Sequence, residues 1–205
     1  MLQYSRNLTT ALVLVFMLSA CSNSSMFDDA CDVGNCKLQG SYSYNKEKGI
    51  YALSGAGTNM WGQSDEFYMV WKKVSGDLTI SARIAFEGEG VNAHRKMGLI
   101  IRESLQPGAK YADVAVHGDG LTSLQYRREK DDITQEIKSD QRFPDHIVLE
   151  RLGDTILMKT GTGVSASPDT KLVLNLPQEC YVGLFICSHD PEVLETGYFS
   201  DVELR

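Results

Sequence analysis

The chain has 205 residues, of which 42% are hydrophobic and 23% charged, with a formal net charge of −7 at pH 7. This length allows one folded domain with its own core. The negative charge and the lack of a basic stripe argue against nucleic acid as a partner, because binding to phosphates needs clustered Lys and Arg. The densest basic stretch, residues 94–96, is interpreted as a solvated loop.

The first 20 residues have the pattern of a secretory signal peptide. Arg6 precedes an apolar run over residues 11–18, which is too short to span a bilayer. The next residues, Ser19-Ala20-Cys21, resemble the end of a bacterial lipobox, where the peptide is cut before a Cys that becomes acylated. Each buried CH₂ of an acyl chain adds roughly 0.8 kcal/mol, so two chains or more anchor a protein to a membrane.

We therefore predict lipidation at Cys21 and a place in the bacterial cell envelope, as an outer-membrane lipoprotein facing the periplasm or the cell surface. The alternative is an ordinary secretory signal with a chance Cys21. The following segment is rich in Ser, Asn, Asp and Gly and offers little apolar surface for burial. It predicts a flexible tether over residues 21–39 before a folded domain over residues 40–205.

The remaining cysteines, Cys31, Cys36, Cys180 and Cys187, allow several disulfide pairings in an oxidising compartment. Cys31 and Cys36 could close a small loop. Cys180 and Cys187 bracket one strand-like run, and at about 3.3 Å per residue they are too far apart to bond to each other. Zinc binding by the four cysteines is a weaker alternative, because neither pair forms a Cys-x₂₋₄-Cys knuckle with a matching second half, and no metal ligand is predicted.

From residue 40 onward, short runs of β-branched and aromatic residues recur between Gly, Pro, Asp and Asn, without a sustained helical period. These runs predict strands at residues 49–53, 66–74, 77–86, 97–103, 111–117, 121–128, 133–138, 146–151, 155–160, 171–174, 181–187 and 198–204. So many strands exceed an immunoglobulin-sized domain and suit a larger jelly roll. The predicted fold class is all-β, a two-sheet β-sandwich.

The predicted strand at residues 97–103 is the one around which the others are organised. Met97, Leu99 and Ile101 fall on one face, while Gly98 and Ile100 fall on the other. A strand that is apolar on both faces belongs in the interior of a sheet. The strand at residues 77–86 instead alternates apolar and polar residues, which predicts one face against the core and one against water.

Several motifs carry a resemblance to a known family: GAGTNMWG at residues 55–62, SDEF at 64–67, SGD at 75–77, MGLIIRES at 97–104 and FSDV at 199–202. They resemble an uncharacterised concanavalin A-like family, similar to laminin-G and lectin or glucanase jelly rolls. That family occurs in bacterial lipoproteins, beside Tol-type β-propellers and on carbohydrate-active enzymes. The resemblance covers about residues 49–205 and implies a concanavalin A-like jelly roll. It says less about activity, because one fold hosts many functions.

Trp61 is the first candidate for ligand binding. It lies in a Gly-rich stretch, and a flat indole can stack on a sugar ring. The alternative is that Trp61 folds inward as a plug over the core. Trp71 shares a strand face with Phe67 and Met69, which predicts packing rather than binding.

Charged residues at two predicted strand ends form a second candidate group. Asp65 and Glu66 precede one strand, and Arg102 and Glu103 end another. If these ends meet, the group could grip hydroxyls or hold Ca²⁺ through carboxylate oxygens. The alternative that we favour is a structural salt bridge from Arg102 to Asp65 or Glu66. No other cofactor is predicted.

A third candidate group lies on a predicted hairpin. Asp113 and His117 on its first strand share a face with Gln125 and Arg127 on its second. Cross-strand neighbours are within reach of each other, so these side chains could bind a polyhydroxyl ligand. The alternative is a half-exposed sheet face that is merely polar.

Motifs for catalysis are missing from the sequence. Laminarinase-type jelly rolls carry Glu-x-Asp-x-x-Glu on one strand, and neither this string nor HExxH nor G-x-S-x-G occurs. We therefore predict a membrane-anchored, non-catalytic, lectin-like domain that binds carbohydrate or another extracellular polymer. Two alternatives stay open: a divergent glycan-modifying hydrolase, and a structural or adaptor lipoprotein that binds a protein partner in the envelope.

Overall fold

The computed structural model describes residues 25–162 and 167–205, and all of its regular elements are β-strands. The predicted signal peptide and the lipidation site at Cys21 lie outside these residues. Within the described part of the chain, no helix is long and apolar enough to cross a membrane.

The strands are divided between two sheets. In chain order they are β1 (Asp29–Val33), β2 (Ser41–Asn45), β3 (Ile50–Gly57), β4 (Phe67–Ser75), β5 (Leu78–Phe86), β6 (Lys96–Arg102), β7 (Tyr111–His117), β8 (Thr122–Arg127), β9 (Gln135–Lys138), β10 (His146–Leu152), β11 (Thr155–Gly161), β12 (Ser167–Val173), β13 (Glu179–Cys187) and β14 (Asp190–Leu204).

Two seven-stranded antiparallel sheets pack face to face around the main core. Sheet A has the order β1-β4-β13-β6-β7-β8-β9, and sheet B has the order β12-β11-β10-β5-β14-β3-β2. Apolar side chains from the inner faces of both sheets fill the space between them. The predicted two-sheet β-sandwich is confirmed.

β6 lies in the middle of sheet A, between β13 and β7. Met97, Leu99 and Ile101 pack in the core between the sheets, and Ile100 packs on the outer face. Burying each such side chain contributes roughly 1.5–3 kcal/mol. The prediction of a central strand buried on both faces is confirmed.

The outer face of sheet A carries a second apolar cluster, covered by the loop of residues 58–66. Met60 from this loop is fully buried against Phe67, Ile100 and Tyr111. Gly57 allows the start of this loop to lie close against its end. Its φ is 135°, and a Cβ there would lie 2.0 Å from the Glu66 carbonyl oxygen.

The prediction of a flexible tether over residues 21–39 is wrong for its second half. β1 pairs with β4, with Val33 opposite Phe67. Phe27 and Val33 are both buried. The segment needs few apolar residues, because the backbone of β4 supplies hydrogen-bond partners at the edge of sheet A.

The described cysteines are free thiols. Cys180 and Cys187 stand near the two ends of β13 and face opposite sides of sheet A, since Cys180 belongs to the main core and Cys187 to the outer cluster. The prediction that these two are not bonded to each other is confirmed.

Candidate functional site

A cavity of about 320 Å³ opens on the outer face of sheet A. Its volume lies at the lower end of the range for ligand pockets, about 300–1,000 Å³. The 58–66 loop forms one wall, β6 and β7 form the floor, and β9 and three further loops close the other sides. The lining residues are Asn59, Trp61, His94, Lys96, His117, Leu121, Glu136, Lys138 and His189.

Trp61 lies at the mouth of this cavity with 40% of its surface exposed. The inward plug over the outer cluster is its neighbour Met60, whose carbonyl oxygen accepts a 2.8 Å hydrogen bond from the Tyr111 hydroxyl. Trp61 is therefore free to stack on a ligand. Trp71 instead packs against the outer cluster, edge-on to the Tyr181 ring at 5.0 Å.

Asp65 anchors the 58–66 loop to sheet A through two arginines. Its carboxylate accepts hydrogen bonds from Arg127 at 2.6 and 2.8 Å and from Arg102 at 3.3 Å. All three side chains are fully buried. The favoured salt bridge between Arg102 and Asp65 is confirmed, with Arg127 as a second partner.

The two arginines are held further by backbone carbonyls. Arg102 donates to the Ser104 and Gln106 oxygens at 2.7 and 2.6 Å, and Arg127 donates to the Gly62 oxygen at 2.7 Å. Burial lowers the pKa of Arg102, and the charge of Asp65 opposes this. For Arg127, burial also acts to lower the pKa, but the bonds and charge of Asp65 outweigh it and raise the pKa. Through these hydrogen bonds, Asp65, Arg102 and Arg127 hold the loops together. None of the three side chains lines the cavity.

Glu66 and Glu103 also brace loops. Glu66 Oε2 accepts hydrogen bonds from the Thr58 hydroxyl and backbone N–H at 2.6 and 3.1 Å, and Glu103 Oε1 accepts one from the Lys110 N–H at 3.2 Å. Across residues 25–162 and 167–205, no group of three or more His, Cys, Asp or Glu side chains could hold a metal ion. Calcium binding stays a prediction without a ligand set in this region.

The predicted hairpin places Asp113, His117 and Gln125 together on the outer face, but buried rather than half-exposed. Gln125 Nε2 lies 3.2 Å from His117 Nε2 and 3.3 Å from Ser123 Oγ. Several polar atoms here have no hydrogen-bond partner among the described residues: both carboxyl oxygens of Asp113, Gln125 Oε1 and His117 Nδ1.

Burial decides the protonation of this group. It raises the pKa of Asp113 well above its ordinary value, although the charge of Lys96 opposes the rise. Burial also lowers the pKa of His117 to about 3, and Lys96 adds to this effect. His117 is therefore neutral at physiological pH.

Lys96 is the functional candidate that the sequence interpretation missed, since residues 94–96 do not form a solvated loop. Lys96 is 2% exposed and lies opposite His117 on the cavity floor. Its neighbour Arg95, 3% exposed, pairs with Glu195 at 2.6 Å. Lys96 could have been identified from strand periodicity, because successive side chains alternate between the faces and residue 96 lies on the same face as Gly98 and Ile100.

Two further histidines complete the cavity wall. The His94 ring lies 5.9 Å from the His117 ring and 5.6 Å from the His189 ring, measured between centroids. His189 has a φ of 61°, a left-handed conformation that costs on the order of 1–3 kcal/mol in non-glycine residues. Burial lowers the pKa of His189, and Lys96 adds to this.

A larger cavity of about 650 Å³ lies on the outer face of sheet B. Its lining has no Trp, Tyr or Phe side chain, and its Arg83 is paired with Asp145 at 3.0 Å and with Asp201 at 3.2 Å. Ligand pockets combine apolar surface with a few convergent polar groups. The smaller cavity beside Trp61 is therefore the better candidate site.

The fold is shared with proteins of solved structure, whereas no family model and no curated protein matches the sequence. A functionally unknown protein from Saccharomyces cerevisiae superposes with a TM-score of 0.61 and 12% identity, over 83% of this chain and 98% of that one. The carbohydrate-binding module CBM66 from Bacillus subtilis gives 0.55 and 13%, over 87% and 96%. The lectin UEA-II in complex with galactose gives 0.53 and 7%, over 87% and 98%.

At these identities the similarity shows the fold alone. The predicted jelly roll is confirmed, because a carbohydrate-binding module and a lectin share the architecture. Membership of the uncharacterised family named above stays a prediction.

Proposed function

We propose that the protein is a non-catalytic carbohydrate-binding domain, whose ligand lies in the cavity on the outer face of sheet A. The observation that carries the proposal is an exposed indole, Trp61, in the lining of a cavity that also has Lys96 and His117, whose Nζ and Nδ1 are incompletely paired within the protein. The jelly-roll fold shared with a carbohydrate-binding module and a lectin supports it.

The unpartnered polar atoms suit a ligand rich in hydroxyls. A buried polar atom without a hydrogen bond costs about 1–3 kcal/mol, so a group that pairs with it gains binding free energy. Lys96 and His117 both line the cavity; Lys96 Nζ makes one hydrogen bond, and His117 Nδ1 is buried without a partner. A sugar hydroxyl both donates and accepts, so it can pair with either group.

The carboxylates near the cavity favour binding over hydrolysis. Glycosidases use a pair of carboxyl groups, about 5–10 Å apart, on the two sides of the scissile bond. Among the lining residues the carboxylate is that of Glu136, and it is paired with Lys138 at 3.2 Å. Asp113 is buried and is not part of the lining.

The attachment to a membrane through Cys21 is part of the same proposal. The lipobox-like Ser19-Ala20-Cys21 after a short apolar run supports it. In this arrangement the domain would present its cavity within the cell envelope.

A glycan array probed with the purified protein tests the proposal, and incubation with any bound glycan tests for turnover. We expect binding without cleavage, and weaker binding in Trp61→Ala. The control is Tyr42→Ala, which removes an exposed ring, 38% exposed, from edge strand β2 of sheet B. Binding that Trp61→Ala leaves unchanged would place the site elsewhere.

A further inference from the structure

We infer that the cavity takes an acidic saccharide, whose negative group lies against Lys96 while the sugar ring lies on Trp61. This inference rests on the proposed function and specifies the class of sugar that it leaves open. It starts from a charge that the protein itself does not balance.

Lys96 is a buried cation with unfilled hydrogen-bonding capacity. Its Nζ makes one hydrogen bond, to Asn59 Oδ1 at 3.2 Å, although an ammonium group has three donors. No carboxylate of the described residues lies within salt-bridge distance of Nζ. Buried charges in proteins are normally paired, because an isolated one has lost its hydration.

The other buried cations have carboxylate partners or several hydrogen bonds within the protein. Arg95, next in sequence to Lys96, pairs with Glu195, while Arg102 and Arg127 share Asp65. Arg151 donates to the carbonyl oxygens of three residues, Gly153, Leu176 and Pro177. Lys96 differs from them because it lines the cavity and its Nζ has one hydrogen-bond partner, Asn59.

The charged groups around Lys96 do not cancel its charge. Asp113 lies four residues before His117 on the same face of β7, and neither of its carboxyl oxygens bonds to Lys96, while burial raises its pKa. Glu136 is paired with Lys138. His94 and His189, which line the cavity with His117, are a second source of donors, since even a neutral imidazole carries one N–H.

The positions of Lys96 and Trp61 in the cavity indicate where the anionic group and the sugar ring of the ligand would bind. Lys96 lies on the floor and Trp61 at the mouth. The volume of about 320 Å³ is at the lower end of the range for ligand pockets, about 300–1,000 Å³, so we expect the cavity to hold one sugar residue. The anionic group therefore enters the cavity, and the rest of a longer chain stays outside. A carboxylate and a sulfate ester could both supply the negative charge.

The experiment compares saccharides that differ only in charge. An array of carboxylated, sulfated and neutral glycans identifies the anionic group. Isothermal titration then compares oligogalacturonate with its fully methyl-esterified form, in low and high salt. We expect the acid to bind at least about tenfold more tightly than the ester, with weaker binding in high salt. Preference for sulfated glycans in place of carboxylated ones would support the same inference with sulfate as the group.

Lys96→Met removes the charge and keeps the length of the side chain. We expect it to abolish the preference for the acid while the melting temperature stays the same or rises, because a buried unpaired charge is removed. The control is Lys73→Met, which removes an exposed lysine paired with Glu179.

The outcomes separate the two claims. If neutral glycans bind as tightly as acidic ones, or if Lys96→Met keeps the preference for the acid, this inference is overturned while the proposed function stands. If no glycan of any class binds, or if Trp61→Ala leaves binding unchanged, the proposed function is overturned and the inference with it.

Discussion

The Arg127 guanidinium donates two hydrogen bonds to the Asp65 carboxylate, 2.6 and 2.8 Å long, with neither side chain exposed. Such two-point pairs are strong and geometrically specific. Because Asp65 belongs to the 58–66 loop and Arg127 to β8, the pair fixes the loop that carries Trp61 to the sheet that forms the cavity floor.

Asp65→Asn should destabilise the fold strongly. It leaves Arg127 and Arg102 buried without a counter-charge, and breaking a buried pair in this way costs about 3–5 kcal/mol. Urea unfolding measures the change. Glu179→Gln, which loses only the exposed pair with Lys73, is the control and should behave like the wild type. An Asp65→Asn midpoint equal to that of the control would contradict the anchoring role.

Truncation of two adjacent loop residues should affect different properties: folding stability for Met60 and glycan binding for Trp61. Met60→Ala empties part of the outer cluster and should cost about 2–5 kcal/mol of folding free energy. Trp61→Ala should change stability little but weaken glycan binding by ~1–3 kcal/mol. Thermal denaturation and glycan titration of both variants check this. A large loss of stability in Trp61→Ala, with unchanged affinity, would assign the ring to the core.

Stability should fall on acidification because of His117. Its pKa is about 3 in the folded protein and 6.5 in the unfolded chain. Between these values only the unfolded chain takes up the proton, so this part of the stability is present above pH 6.5 and is lost as the pH falls towards 3. At pH 5 the loss is about 2 kcal/mol.

Asp113 has the opposite effect on stability as the pH falls. Its raised pKa lets the folded protein bind a proton more readily than the unfolded chain does. His117→Gln isolates the histidine, since Asp113 is present in both proteins. The variant should lose less stability than the wild type between pH 7 and pH 5 in urea titrations. Equal losses would show that His117 does not stay neutral in the folded state.

Cys21→Ser should release the protein from membranes without unfolding it, if the acyl chains provide the anchor. Detergent partitioning of cell fractions measures this. Cys36→Ser is the control and should remain in the membrane fraction. A Cys21→Ser protein that still sediments with membranes would contradict lipidation at this position.

Strand periodicity predicted most of the fold. Successive residues of a strand point to opposite faces of the sheet, and this rule correctly assigned the residues of β6 and β7 to their faces. Both strands are buried along their whole length. β1 and β2 were missed, since both are edge strands with few apolar residues. An edge strand is stabilised mainly by backbone hydrogen bonds to its neighbour, which leave little trace in the sequence.

The candidate site could be predicted only in part. Trp61 was found because its loop is unusual in composition, and the Asp65–Arg102 pair was found because complementary charges mark two strand ends. Lys96 and His189 were missed, because they reach the cavity from segments far apart in sequence. Arg127 was expected on the open sheet face, whereas a partner 62 residues away holds it.

The position of β1 at one edge of sheet A would determine the orientation of the domain relative to a membrane. The first core residue, Phe27, follows Cys21 so closely that a fully stretched chain of ~3.6 Å per residue spans roughly 20 Å between them. A lipid at Cys21 would therefore keep the β1 edge near the bilayer. The cavity lies towards the other edge, with β4 and β13 between β1 and β6, and successive strands are about 4.8 Å apart. The bound glycan would then be held on the side of the domain that is turned away from the lipid surface.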